Sequence, residues 1–96
     1  MSNQIDELYQ VLRDRKENPR AGSYTNQLLA DEEEIAKKIG EEAIEVILAS
    51  ASQGKERIIE ETADLIYHTL VLLVANDINW EDVLAELNRR RRVSVQ

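Results

Sequence analysis

The sequence predicts an all-α fold, a small four-helix domain whose helical bundle is completed by dimerisation. The first observation is composition, since 43% of the 96 residues are hydrophobic while there are only three Gly, one Pro and no Phe. Such a mixture, rich in Ala, Leu, Ile and Glu, favours helices over sheets. The second is that apolar residues recur at helical spacing in four segments. The length suits a single domain covering residues 1–96.

The first predicted helix runs from about Asn3 to Lys16 and ends before the turn-forming segment NPRAGS. Its core-facing residues are Ile5, Leu8, Tyr9 and Leu12. Ser23 or Thr25 is then expected to cap a short helical turn that carries Leu28 and Leu29.

The second and fourth predicted helices are marked by their start signals. Asp31 followed by Glu34 resembles a capping box, and the helix that it opens ends near Gly54. Gly40 inside this helix is expected to permit close helix packing. Asn79 is expected to cap the fourth helix. The face of that helix that is expected to be buried consists of Val83, Leu84 and Leu87.

The third predicted helix, from about Glu56 to Ala75, is apolar on nearly every side. A helix of this kind has to be buried almost all round. Four modest helices in one subunit offer too little surface to cover it, so the pattern predicts a homodimer or higher homo-oligomer that shares its core.

The charge argues against nucleic acid as a partner, because Lys and Arg are outnumbered 12 to 19 and the formal net charge is −7. The exception is the run Arg89–Arg92, which suits the C-terminal end of a helix dipole. Contact with phosphate or with another subunit is the alternative for these arginines.

The sequence predicts a cytoplasmic protein with no membrane partner. There is no Cys, which excludes disulfides and fits a reducing compartment. The N-terminal MSNQIDELYQ lacks the pattern of a signal peptide. The longest apolar run, Leu65 to Ala75, is far shorter than the roughly 20 residues of a spanning helix.

Two successive helices each carry an acidic i, i+3 pair, Glu42 with Glu45 and Glu61 with Asp64. If the two faces meet, four carboxylates converge in a partly dehydrated site, where repulsion and burial raise their proton affinities. A divalent cation would relieve the repulsion, and oxygen-only ligands suit Mg²⁺ or Mn²⁺. The alternative is a solvated acidic face. A magnesium site predicts a diphosphate or triphosphate ligand that is hydrolysed by a metal-activated water.

The segments KKIGEEAIEV and EETADLIYHTLVLL, with GSYTNQLL upstream and NWEDVLAELNRR downstream, resemble the phosphoribosyl-ATP pyrophosphatase family of histidine biosynthesis. The similarity covers most of the chain from Gly22 onward. One departure lies in ADEEEI, where relatives commonly have a glycine-containing turn. The family belongs to the all-α nucleoside-triphosphate pyrophosphatases, which assemble helical bundles across a dimer.

The resemblance implies Mg²⁺-dependent hydrolysis of phosphoribosyl-ATP to phosphoribosyl-AMP and pyrophosphate. The residues that match the family's metal-binding acids are Glu42, Glu45, Glu61 and Asp64. Glu41 matches the first acid of the same motif, so Glu41 and Glu42 are the expected catalytic acids. Glu41 would either bind the metal or orient a ligand or the attacking water.

Candidate substrate-binding residues surround these acids. Lys38 is expected to meet a substrate phosphate, with an ion pair to Glu42 as the alternative. His68 is expected to contact substrate or support the site, with a packed core histidine as the alternative. The segment GSYT could supply hydroxyls and backbone N–H groups to ribose or phosphate through Ser23, Tyr24 and Thr25, or serve only as a helix cap.

Two rival functions remain open at the level of sequence. A pyrophosphatase acting on free nucleoside triphosphates would use the same acids. A non-catalytic helical dimer would use the apolar third helix as an adaptor surface and would not need the acids at all.

Overall fold

The computed structural model describes residues 3–92, which form five helices and no strand, so the predicted all-α class is confirmed. The helices are α1 (Gln4–Glu17), α2 (Tyr24–Leu29), α3 (Glu32–Ser52), α4 (Lys55–Ala75) and α5 (Trp80–Arg90). The four predicted helices correspond to α1, α3, α4 and α5, and the predicted short turn is α2. Residues 1–2 and 93–96 of the predicted domain lie outside the described part.

Side chains cap α2 and α3 at the predicted places. The Ser23 hydroxyl accepts from the Asn26 backbone N–H at 3.2 Å, so Ser23 rather than Thr25 caps α2. The Asp31 carboxylate accepts from the Glu34 backbone N–H at 3.1 Å. Each bond satisfies a backbone donor that has no partner within its own helix.

The predicted side-chain cap at Asn79 is wrong. Asn79 occupies the N-cap position of α5, but its side chain makes no cap hydrogen bond. The Tyr9 hydroxyl donates to the Ile78 carbonyl at 2.6 Å and lies 3.5 Å from Asn79 Oδ1. Tyr9 of α1 therefore holds the start of α5, and the amide is directed toward that hydroxyl.

The helices α3 and α4 form an antiparallel pair and share the most extensive helix contact of the described chain. The turn between them contains Gly54, whose φ of +89° lies in the region that favours glycine. The helices α1 and α2 pack against this pair. The buried core cluster consists of Tyr9, Leu12, Leu28, Ile35, Leu70, Val71 and Val74.

No helix packs closely on Gly40 within this chain, and close packing there against a second copy stays a prediction. A Cβ placed on Gly40 would meet nothing within 4 Å. The glycine lies on the open side of α3, where no other helix of residues 3–92 approaches.

A broad apolar surface stays open on α3 and α4. Ile59 is 67% exposed and Ile47 is 65% exposed. Further exposed apolar residues on these helices are Ile44, Leu48 and Ile66. A single chain therefore leaves much of the apolar circumference of α4 uncovered, as the dimer prediction requires. No helix within residues 3–92 combines the length and the hydropathy that crossing a membrane requires.

Candidate active site

Three carboxylates from two helices meet at one place, which we call the acidic cluster. Glu42 of α3 and Glu61 and Asp64 of α4 each offer an oxygen, and these oxygens lie within 4.8 Å of one another. Glu61 and Asp64 share a face because they are three residues apart on one helix. The packing of α3 against α4 then brings Glu42 to that face. Glu61 is only 6% exposed, Glu42 is half-buried and Asp64 faces solvent.

The fourth predicted acid, Glu45, lies outside the acidic cluster. It is half-buried one turn after Glu42 on α3 and does not belong to the group of converging oxygens. The structure thus brings together three of the four acids that the spacing predicts.

Glu41 and Lys38 pair with each other on the exposed side of α3. The Lys38 Nζ lies 3.7 Å from Glu41 Oε1, so the alternative ion pair expected with Glu42 forms instead with Glu41. This contact is partly exposed and contributes little to folding. Lys38 lies one turn before Glu42 on α3, and its side chain is partly exposed.

The environment of Glu42 disfavours its charged form. Partial burial raises the pKa of the Glu42 carboxyl, and the charges of Asp64 and Glu61 raise it further. His68 and Lys38 act in the opposite direction. The site is consequently short of positive charge, and a divalent cation would supply it.

His68 is held by two protein groups next to the acidic cluster. Its Nδ1 lies 2.8 Å from the Asp64 backbone carbonyl, which can only accept, so Nδ1 carries the proton. In the neutral ring Nε2 is then an acceptor, and the Tyr24 hydroxyl donates to it at 3.1 Å. His68 is 5% exposed, which agrees with the alternative of a packed, hydrogen-bonded histidine.

The GSYT segment is attached to α4 beside the acidic cluster. The Tyr24 ring stacks on Tyr67 with centroids 6.3 Å apart, and the Thr25 hydroxyl lies 2.5 Å from the Tyr67 hydroxyl. Burial raises the pKa of the Tyr24 hydroxyl, so it stays a proton donor at neutral pH. Ser23 is used as the α2 cap. Tyr24 is nevertheless 46% exposed, so part of its side chain faces solvent.

Sequence reasoning missed two partners in this region. The Arg57 guanidinium of α4 donates to both Glu60 and Glu61. The spacing of three and four residues from Arg57 to these acids was the available signal. Tyr67 was missed as the partner of Thr25, because the two residues are far apart in sequence and no local pattern relates them.

The donor set of the acidic cluster fits a hard divalent cation. All three groups are carboxylates, and no thiol or free imidazole nitrogen lies among them. Carboxylate oxygens suit Mg²⁺, Mn²⁺ or Ca²⁺ rather than zinc. Three carboxylates would supply only part of the ligand set of such a cation, which would keep bound water molecules as well.

Comparison with known proteins agrees with this chemistry. A family model described as phosphoribosyl-ATP pyrophosphohydrolase matches residues 5–91. The chain is 51% identical over 92 residues to a phosphoribosyl-ATP pyrophosphatase of Sulfurisphaera tokodaii, covering 95% of this chain and 98% of that protein. It is 48% identical over 94 residues to the enzyme of that name from Saccharolobus solfataricus, covering 96% of this chain and 100% of that protein.

A bacterial relative gives the same result. A phosphoribosyl-ATP pyrophosphatase of Clostridium novyi is 47% identical over 89 residues, which are 92% of this chain and 81% of that protein. The resemblance found in the GSYT and acidic segments is thereby confirmed. The chain belongs to the phosphoribosyl-ATP pyrophosphohydrolase family.

Proposed function

We propose that this protein hydrolyses the α–β phosphoanhydride of phosphoribosyl-ATP, giving phosphoribosyl-AMP and pyrophosphate in the second step of histidine biosynthesis. The supporting observation is the acidic cluster of Glu42, Glu61 and Asp64 in a chain that matches this family from residue 5 to 91. In the reaction a water oxygen bonds to the α-phosphorus, the bond from that phosphorus to the bridging oxygen breaks, and pyrophosphate leaves.

The acidic cluster would hold Mg²⁺, with Mn²⁺ as a substitute. A bound cation of this kind neutralises phosphate charge and lowers the pKa of an attacking water. Glu45 would join the cluster from the next turn of α3. Glu41 would accept a hydrogen bond from the attacking water or orient a ligand once its exposed pair with Lys38 opens.

The substrate would be oriented by groups around the cluster. Lys38 would contact a phosphate by exchanging its partner Glu41 for the more highly charged anion. The exposed part of Tyr24 and the hydroxyl of Thr25 would contact the ribose or phosphates, with Ser23 setting the start of α2. His68 would support these contacts through its bond to Tyr24.

The assembly would be a homodimer in the cytoplasm, in which the exposed apolar surface of α3 and α4 is covered by a second copy. The large exposure of Ile47 and Ile59 supports this assembly, because large contiguous apolar surfaces are rare on monomers.

The deciding experiment measures pyrophosphate release from phosphoribosyl-ATP with Mg²⁺ and with EDTA, beside ATP and a panel of deoxynucleoside triphosphates. We expect Mg²⁺-dependent turnover that strongly prefers phosphoribosyl-ATP. Preference for ordinary nucleoside triphosphates would support a pyrophosphatase reaction but reject a role in histidine biosynthesis. The absence of turnover on every substrate would favour the helical adaptor.

A further inference from the structure

We propose that Arg57 is a built-in counter-cation of the acidic cluster, which competes with the divalent metal for the Glu61 carboxylate and keeps only its bond to Glu60 when the metal binds. Arg57 is thus a positioning residue that acts through Glu61. This role rests on the metal-dependent function proposed above.

The contact geometry places Arg57 between two acceptors. Its Nη1 donates to Glu60 Oε1 and its Nη2 donates to Glu61 Oε2. The two acids follow Arg57 by three and four residues, so both lie one turn away on the same side of α4. The planar guanidinium suits this arrangement because it presents donors on separate nitrogens.

The two acceptors differ in their surroundings. The Glu61 side chain is 8% exposed and belongs to the acidic cluster, whereas the Glu60 side chain is 58% exposed and lies outside it. Arg57 itself is 45% exposed. The guanidinium therefore approaches the buried carboxylate from the solvent side and keeps a water-accessible partner beside it.

The charge balance explains why the cluster needs this partner. Three carboxylates with oxygens inside 4.8 Å repel one another, and burial of Glu61 weakens its solvation. The guanidinium of Arg57 stays protonated at every working pH and offsets one of these charges. The protein can thereby keep the cluster assembled before a metal arrives.

A divalent cation bound at the cluster would share Glu61 with Arg57. The guanidinium and the divalent cation repel each other, so the binding of either one to Glu61 weakens the binding of the other. Glu60 offers Arg57 a second carboxylate in the same turn, so the guanidinium can leave Glu61 without losing an ion pair. Metal binding therefore includes the cost of separating Arg57 from Glu61.

The test is calorimetric titration of Mn²⁺ into the full-length protein after removal of metal with EDTA. Arg57→Gln is expected to bind Mn²⁺ about tenfold more tightly than the native chain, because the competing charge is gone. Lys55→Gln is the matched control, since Lys55 is exposed and carries the same charge at the start of α4. Its affinity is expected within about twofold of native because solvent screens this charge.

A second measurement separates the role of Arg57 from a purely structural one. Without metal, the thermal midpoint of Arg57→Gln is expected below that of the native chain, and the rise on adding Mn²⁺ is expected to be larger. Arg57→Lys, which keeps the charge but cannot span both acids with a planar fork, is expected to have an intermediate Mn²⁺ affinity. This variant also tests the proposal if the Gln variant does not fold.

The outcomes distinguish Arg57 from the metal site itself. If the native chain binds no Mn²⁺, both the metal site and the role of Arg57 are rejected. If the native chain binds Mn²⁺ and Arg57→Gln binds it no more tightly, or Lys55→Gln gains as much, only the role of Arg57 is rejected.

Discussion

The Tyr24 hydroxyl is hydrogen-bonded to Nε2 of His68 at 3.1 Å, although the two residues are 44 positions apart. The other ring nitrogen of His68 is bound to the Asp64 carbonyl, in the turn that also carries a carboxylate of the acidic cluster. One chain of contacts therefore connects the GSYT segment with the proposed metal site.

Tyr24→Phe tests the connection between α2 and the acidic cluster. Loss of one partly exposed hydrogen bond is expected to lower the free energy of unfolding by about 1 kcal/mol. The change removes the hydroxyl that is the hydrogen-bond partner of His68 and a donor to the substrate. The kcat/KM for phosphoribosyl-ATP is therefore expected to fall about tenfold, which corresponds to roughly 1.4 kcal/mol of transition-state stabilisation. Steady-state kinetics and urea unfolding measure the two effects. An unchanged kcat/KM would show that this bond only stabilises the fold.

Glu42→Gln is expected to move stability and activity in opposite directions. Glu42 is repelled by Asp64 and Glu61, so neutralising it is expected to raise the free energy of unfolding in EDTA by about 1 kcal/mol. Turnover is expected to fall at least about a hundredfold because a metal ligand is lost. Glu33→Gln on the exposed first turn of α3 is the control for stability and should bring no gain. Lower stability with retained turnover would contradict the proposed site.

Gly40→Ala is expected to stabilise the protein. The glycine lies inside α3, and a Cβ there meets nothing within 4 Å. Alanine in a helix interior is favoured over glycine by about 1 kcal/mol, which urea unfolding would detect. Destabilisation, or loss of assembly in the same variant, would instead mean that a second copy packs against this position.

The C-terminal turn of α5 is expected to respond to acid through Glu86. Hydrogen bonds from Arg89 and Arg90 lower the pKa of the Glu86 carboxyl from 4.5 to about 2. A carboxyl whose pKa is lowered by folding stabilises the folded state above its unfolded pKa, and this stabilisation disappears as the pH falls through about 2. The native chain should therefore lose more stability between pH 5 and pH 2 than Glu86→Gln does. Equal acid sensitivity of the two proteins in thermal unfolding would contradict this assignment.

The apolar surface of α3 and α4 is expected to be the contact between two copies. Ile59→Asp places a charge where the native side chain is 67% exposed, and it is expected to shift the mass in sedimentation equilibrium from dimer to monomer. Val11→Asp on α1, at a site that is 48% exposed, is the matched control and should leave the mass unchanged. A native chain that sediments as a monomer would reject the proposed homodimer.

The helices, most of their ends and the two acidic pairs follow from local sequence. Helical periodicity and short-range caps such as Asp31 with Glu34 depend on residues a few positions apart, so their physics is contained in the local sequence. The same holds for the shared face of Glu61 and Asp64. The similarity to the family rests on these local segments as well.

Which groups from different helices meet depends on how the helices pack. The packing of α3 on α4 brings Glu42 to Glu61 and Asp64 but leaves Glu45 one turn away. Residue spacing along a helix shows which side chains share a face, whereas the packing of the two helices determines which of those side chains touch the other helix. The side chain of Asn79 likewise lies beside the Tyr9 hydroxyl, 70 residues away in sequence, and does not cap α5. Contacts between distant residues depend on how the buried side chains fit together, and no short stretch of sequence contains that information.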